Sequence, residues 1–147
     1  MTPSSETLRW GPVRPDRDER SALKLPDTDE AYVLERLRLA DATPMALERA
    51  VMPRDLAMAL HGDFQHGSLH DAFRRIGRHP SEAHAEVSAR RATKWERELL
   101  GLPSSGVIIV ERRTIYDQEG APLERTETRY AANRYSFRAI LRDEESR

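Results

Sequence analysis

Apolar and polar positions alternate along much of this chain, and that alternation predicts a protein built mainly from sheet. Ala31–Ala40 contains Tyr32-Val33-Leu34-Glu35-Arg36-Leu37-Arg38-Leu39, is rich in strand formers and reads as a strand. Asp41-Ala42-Thr43-Pro44 is a turn and Met45–Met52 a second strand, so the two make a hairpin. Ala83–Ala92 alternates strictly, with Ala83, Ala85, Val87 and Ala89 on one face. Val107–Tyr116, a turn at 117–120 and Pro122–Tyr130 predict another hairpin. Tyr135–Leu141 predicts a last strand, followed by a charged tail from Arg142 to Arg147. The first 20 residues carry Pro at 3, 12 and 15 and many charges. They are expected to be irregular, with at most a short strand around Leu8–Val13.

Short helices fill the gaps. One is expected from Asp16 to Leu23, and another opens at Pro53 and Asp55 and runs through Leu60. His61–His66 reads as a loop. Ser68-Leu69-His70-Asp71 has the spacing of an N-cap, with a helix to Ile76 and a stop at Gly77. Thr93-Lys94-Trp95-Glu96 is a capping box leading a helix that ends at Gly101.

The chain also repeats itself. Leu23-Lys24-Leu25-Pro26 precedes a strand with Glu35-Arg36, a turn, Pro44 and Leu47-Glu48-Arg49; Leu100-Gly101-Leu102-Pro103 precedes a strand with Glu111-Arg112, a turn, Pro122 and Leu123-Glu124-Arg125. Two copies make about six strands, too few for a solenoid. The natural outcome is one largely antiparallel α+β sheet with internal pseudo-two-fold symmetry.

Composition narrows the classes. With 147 residues there is room for one domain, expected to span 1–147 with its core over about 8–141. Lys and Arg (24) nearly balance Asp and Glu (25), which argues against gripping nucleic acid by bulk charge. The absence of Cys excludes disulfides, thiol catalysis and thiolate metal sites, and fits a cytoplasmic protein. The longest apolar runs, such as Val107-Ile108-Ile109-Val110, are far short of the ~20 residues of a membrane-spanning helix, and no signal peptide opens the chain.

Candidate chemistry is concentrated in a few places. Arg36 and Arg38 are two apart on a strand and share a face, suiting a phosphate or carboxylate, or else a solvated surface. Ser68 starts a helix whose free N–H groups favour an anion, or is a plain N-cap, and His70 lies one turn inside. Glu48 sits among Ala46, Ala50 and Met52; a carboxylate there needs either a ligand or an internal Arg partner. Glu124 shares its face with Thr126, Thr128 and Tyr130, a surface for hydroxyl-bearing ligands or for cross-strand pairs. Arg113 is expected on the opposite face, away from any ligand. The His spacings predict no metal site, and no P-loop, nucleophile elbow or dinucleotide fingerprint is present.

Six motifs in order carry a family resemblance: Glu35-Arg36-Leu37-Arg38-Leu39-Ala40-Asp41, Pro44-Met45-Ala46-Leu47-Glu48-Arg49, Gly67-Ser68-Leu69-His70-Asp71, Leu99-Leu100-Gly101-Leu102-Pro103, Val110-Glu111-Arg112 and Asn133-Arg134-Tyr135-Ser136-Phe137. Together they resemble the UTRA domain, the effector-sensing domain of GntR-type transcription regulators of the HutC subfamily. The resemblance implies a chorismate-lyase-like fold of two related halves, a homodimer, no cofactor and a small anionic effector, a phosphosugar or a carboxylate. It implies that Arg36, Arg38, Ser68 and His70 meet the phosphate, with His70 standing where Tyr is usual. Glu48, Glu124 and Tyr130 then meet the sugar. The N-terminal segment that closes over the ligand in the family is expected to be short or absent here. DNA would be met only through an N-terminal winged helix-turn-helix, and nothing before Ala31 makes such a reader. The chain therefore reads as a cut-down regulator or a solitary sensor. A rival from the same fold is a lyase that removes pyruvate from a dicarboxylate, with Arg36, Arg38 and Glu48 binding carboxylates and moving protons.

Overall fold

Six antiparallel strands form one sheet, in the order β1-β2-β3-β6-β5-β4. They are β1 (Pro3–Val13), β2 (Ala31–Ala40), β3 (Thr43–Pro53), β4 (Glu82–Arg91), β5 (Val107–Tyr116) and β6 (Pro122–Ala131). The helices are α1 (Arg17–Ala22), α2 (Arg54–Ala59), α3 (Leu69–Arg75) and α4 (Lys94–Leu100), with a 3-10 turn at Ala132–Arg134. This computed structural model describes residues 2–60 and 68–143. The expected loop at 61–66 lies outside the described residues.

The strand order is symmetric about the β3/β6 boundary. The unit β1-α1-β2-β3 is matched by β4-α4-β5-β6, as the repeat predicts. Both α1 and α4 open with a complete capping box, Asp16 with Glu19 and Thr93 with Glu96. α4 ends at Gly101, whose φ of +65° explains the glycine. On one sheet face Leu37, Leu47, Ile108 and Val110 pack with Leu100 of α4, and Val33 and Val51 pack with Leu23 at the end of α1. On the other face α2 and α3 bury Leu56, Ala57, Leu69, Ala72 and Phe73 against Leu34, Ala50 and Met52. Helices thus pack on both faces of the sheet, and β2 buries apolar residues on each, Val33 and Leu37 on one and Leu34 on the other.

Two expectations fail. The N-terminal segment is not irregular: Pro3–Val13 is an eleven-residue strand paired along its length with β2. Pro3 and Pro12 are tolerated because β1 is an edge strand, with ladder bonds on one side only, and Pro3 is its first residue. The final strand at Tyr135–Leu141 is not formed; these residues have no regular structure. Strand propensity is realised only when a sheet edge accepts the segment, and neither β1 nor β4 pairs with it here.

The capping carboxylates also tie the helices to the sheet. Glu96, 1% exposed, accepts from Arg90 at 2.8 and 2.9 Å and from Arg129 at 3.2 Å. Burial pushes this carboxyl up, but Arg90, the Thr93 N–H and Arg129 outweigh it and bring it down to about 2. A carboxyl whose folded pKa is depressed stabilises above its unfolded pKa, and that stability is lost as pH falls through the folded value. Urea unfolding should therefore weaken steadily from pH 5 to pH 2. Glu96→Gln should unfold at lower urea at pH 7 and show a smaller loss on acidification. An unchanged pH slope in the variant would remove Glu96 from this role.

Candidate functional site

The cross-strand register brings the chemistry-bearing residues together. Arg36 on β2 lies opposite Glu48 on β3, Glu48 opposite Thr128 on β6, Thr128 opposite Glu111 on β5, and Glu111 opposite Val87 on β4. Side chains of one such row share a sheet face. The neighbouring rows add Arg38 and Tyr130 on one side and Thr126 and Arg113 on the other. All of these but Val87 line a cavity of about 500 Å³, within the usual range for small-molecule sites. Ser68, Leu69 and His70 at the start of α3 and Pro3, Ser4 and Ser5 of β1 complete the wall.

Glu48 holds the centre. Its Oε1 accepts from Arg36 Nε at 3.0 Å and Nη2 at 2.5 Å, and its Oε2 accepts from Arg38 Nη1 at 2.8 Å. Burial pushes the Glu48 carboxyl up, but the guanidinium of Arg36 and then that of Arg38 prevail and hold it below the ordinary carboxylate range. The two arginines differ in their freedom. The Arg36 side chain is 7% exposed, whereas that of Arg38 is 51% exposed and makes one bond to Glu48. Both alternatives raised for Glu48 are therefore present at once: it has internal Arg partners, and it faces a cavity.

At the other end Glu124, 4% exposed, accepts through Oε1 from His70 Nε2 at 2.9 Å if that nitrogen carries the proton. Its second oxygen is buried and has no partner among the described residues, and the same holds for Thr126 Oγ1 and Arg113 Nε. Buried polar atoms left unpaired cost about 1–3 kcal/mol each, and such atoms call for a ligand or water. Arg113 donates to Glu111 Oε1 through Nη2. Tyr130 is half-buried and stacks on Tyr135, with ring centres 3.8 Å apart. Burial first, then the Glu111 charge, pushes its phenol up to about 12, so it keeps its proton near neutral pH. Ser68 is an N-cap, accepting from the Asp71 N–H at 3.2 Å.

All seven residues singled out from the sequence line this cavity: Arg36, Arg38, Glu48, Ser68, His70, Glu124 and Tyr130. Arg113 does so too, which corrects its assignment to the opposite face. The error is one of phase. The Glu35-Arg36 and Glu111-Arg112 repeats match as letters, but Glu35 bonds Arg49 on the far face whereas Glu111 lines the cavity. Arg112 instead faces away and bonds Glu127 at 3.4 Å. Glu111 and Arg113 were legible from the hairpin register, which sets Glu111 opposite Thr128. The N-terminal segment is not absent from the cavity either, since Pro3–Ser5 contribute to its wall. Among the described residues no group of His, Asp and Glu is arranged to hold a metal ion.

Removing the Glu48 carboxylate leaves Arg36 buried without its counter-charge. Glu48→Ala should cost about 3–5 kcal/mol in urea unfolding, as loss of one partner of a buried pair does. A cost under about 1 kcal/mol would mean that the pair is solvated.

The sequence profile of the UTRA domain matches residues 1–136. The HTH-type transcriptional repressor NagR of Bacillus subtilis (strain 168) is 28% identical over 138 residues, which are 93% of this chain and 57% of the repressor. The chain thus spans little more than half the length of that relative. A GntR-family transcriptional regulator from Enterococcus faecalis V583 superposes with a TM-score of 0.86 at 26% identity, covering 94% of this chain and 100% of that one. The effector domain of PhnF from Mycobacterium smegmatis has the same fold, with a TM-score of 0.89 at 19% identity over 97% of this chain and 88% of that one.

Proposed function

Because this chain belongs to the UTRA domain family, the effector-binding module of GntR-family transcription regulators, we propose that its cavity binds a small anionic metabolite that also bears hydroxyl or amine groups. The observation that carries this reading is the pairing, in one cavity, of a half-exposed Arg38 with buried polar atoms that have no partner among the described residues. Arg38 is the guanidinium that can turn from Glu48 to an incoming phosphate or carboxylate, while Arg36 stays locked. Ser68 and His70 border the same space. Glu124 Oε2 and Thr126 Oγ1 offer acceptors to the ligand's O–H or N–H groups, and Tyr130 offers a hydroxyl that is protonated near neutral pH. The cavity holds three guanidinium groups (Arg36, Arg38, Arg113) and three carboxylates (Glu48, Glu111, Glu124). That balance favours a phosphosugar or an amino acid-like carboxylate over a bare polyanion.

The chain then acts as a sensor rather than a catalyst. Ligand favours one arrangement of a homodimer over another, and the difference reaches a DNA-binding winged helix joined to it. Coupling free energies of about 1–3 kcal/mol are usual for such devices. The chain alone would bind no operator, and the regulator would work in the cytoplasm.

The test is a thermal-shift panel of phosphorylated sugars and small carboxylates, followed by calorimetry on any hit. Arg38→Ala should weaken binding by roughly tenfold to more than a hundredfold, the worth of one charge-assisted bond. Arg113→Ala should also weaken it, and Arg112→Ala, on the opposite face, should leave it unchanged. Equal losses from Arg38→Ala and Arg112→Ala would sink the assignment. Release of pyruvate from chorismate by the chain would replace the sensor with an enzyme.

A further inference from the structure

Among the described residues lining the cavity, His70 alone is of a type that changes charge between about pH 5 and 8. The other titratable groups there are arginines, glutamates and Tyr130. Glu48 is held below the ordinary carboxylate range and the Tyr130 phenol is pushed up to about 12, so neither exchanges a proton near neutral pH. His70 is also tethered. Its ring stacks 6.2 Å from that of the core residue Phe73, and its Nε2 lies 2.9 Å from Oε1 of the buried Glu124. A neutral imidazole has one N–H. Spent on Glu124, it leaves the other ring nitrogen as a bare acceptor, which repels an anion. An imidazolium donates from both nitrogens, so one ring can hold Glu124 and an incoming anion together.

The charges around this ring are balanced until a ligand arrives. From β2 come Arg36 and Arg38, from β3 Glu48, from β5 Glu111 and Arg113, and from β6 Glu124 with the neutral Tyr130; β1 contributes Pro3, Ser4 and Ser5. On α3 itself Asp71 and Arg74 pair with each other at 2.8 Å, both well exposed, and Arg75 is exposed as well. The charged residues of α2, Arg54 and Asp55, border a separate depression with Leu25 and Glu30. Three guanidinium groups thus meet three carboxylates in the cavity. A bound anion tips that balance towards negative, and nearby negative charge favours the charged form of a histidine.

We propose that the cavity takes up a proton at His70 when it takes up an anion, so that capture of the anion strengthens as pH falls from 8 to 6. The proposal rests on the anionic-effector reading above and adds a regulation to it, since a given concentration of effector fills more sites in acidified surroundings. The complex holds one more proton than the free chain. By linkage, lowering the pH through that range raises affinity, to a limit of about tenfold per pH unit for a single proton. Glu124 is the positioning residue of this device: it holds one ring nitrogen, and the other is left for the ligand.

The probe is inorganic sulfate, which keeps its double charge throughout that range and brings no proton of its own. Its affinity for the parent chain is measured by titration calorimetry at pH 8, 7 and 6 at constant ionic strength, and at pH 7 in buffers of different ionisation enthalpy. The result expected is an affinity at least about fivefold higher at pH 6 than at pH 8, with a heat that varies between buffers as uptake of a proton requires. His70→Gln, whose amide donates at any pH, should bind with neither the pH slope nor the buffer dependence. His84→Gln removes a histidine 3.6 Å from Glu82 and outside the cavity wall, and should keep both. A pH slope that survives in His70→Gln would overturn the proposal and move the proton to another group. A parent that binds sulfate equally at pH 8 and pH 6, and loses it in Arg38→Ala, would overturn the proposal while leaving the anion site intact. Sulfate binding that Arg38→Ala leaves unchanged, or no binding of sulfate or inorganic phosphate by the parent, would overturn the anionic-effector reading and the proposal together.

Discussion

The central interaction of this molecule is a buried carboxylate shared between two guanidinium groups. Glu48 lies in β3, one of the two central strands of the sheet, where a lone charge would cost several kcal/mol. It is tolerated because β2 presents Arg36 directly opposite and Arg38 two residues on, and the strand period of two puts both on its face. The same arrangement fixes the register of β2 on β3, since a slip by one residue would bury Glu35 and Leu37 in their place. It also explains why the cavity exists. Polar side chains fill the face that α2 and α3 leave uncovered, and they stand around a space rather than packing into it.

The pseudo-two-fold symmetry is strict on one face of the sheet and broken on the other. α1 and α4 occupy equivalent places, and each sends a capping-box Glu into the sheet: Arg49 bonds Glu19, and Arg90 and Arg129 bond Glu96. On the other face α2 and α3 have no counterparts among the described residues after β6. One half of that face is roofed by Leu56, Leu69 and Phe73, and the other half, towards β5 and β4, is open. The cavity lies where the two faces differ.

Much of this was legible in the sequence, for reasons that differ from element to element. The two hairpins and the α4 capping box announce themselves locally, through turn residues and a Thr-x-x-Glu spacing. Of the seven candidate site residues, Arg36 and Arg38 stand out because they share a strand face, Ser68 and His70 because they open a helix, Glu48 because its strand face is otherwise apolar, and Glu124, with Tyr130 on its face, because it holds the matched place in the repeat. β1 was missed because Pro3 and Pro12 speak against strands in general, and only knowledge of edge position reverses that reading. The strand at Tyr135–Leu141 was over-read, because alternation describes a capacity to pair and does not supply a partner. Arg113 was misplaced because matching letters between halves does not match phase: one residue of offset turns a side chain to the other face.

The balanced charge of the cavity has a kinetic consequence. Three cations and three anions within one cleft cancel beyond a Debye length of about 8 Å at physiological ionic strength. A charged metabolite approaching through solvent therefore meets little field, and its encounter rate should be nearly indifferent to salt. Discrimination must occur after arrival, when Arg38 exchanges one carboxylate for another anion and the buried oxygens of Glu124 and Thr126, without partners among the described residues, find or fail to find donors. Selectivity of that kind resides in the lifetime of the complex, so the length of time a ligand stays, more than the speed of its capture, is what such a site can report.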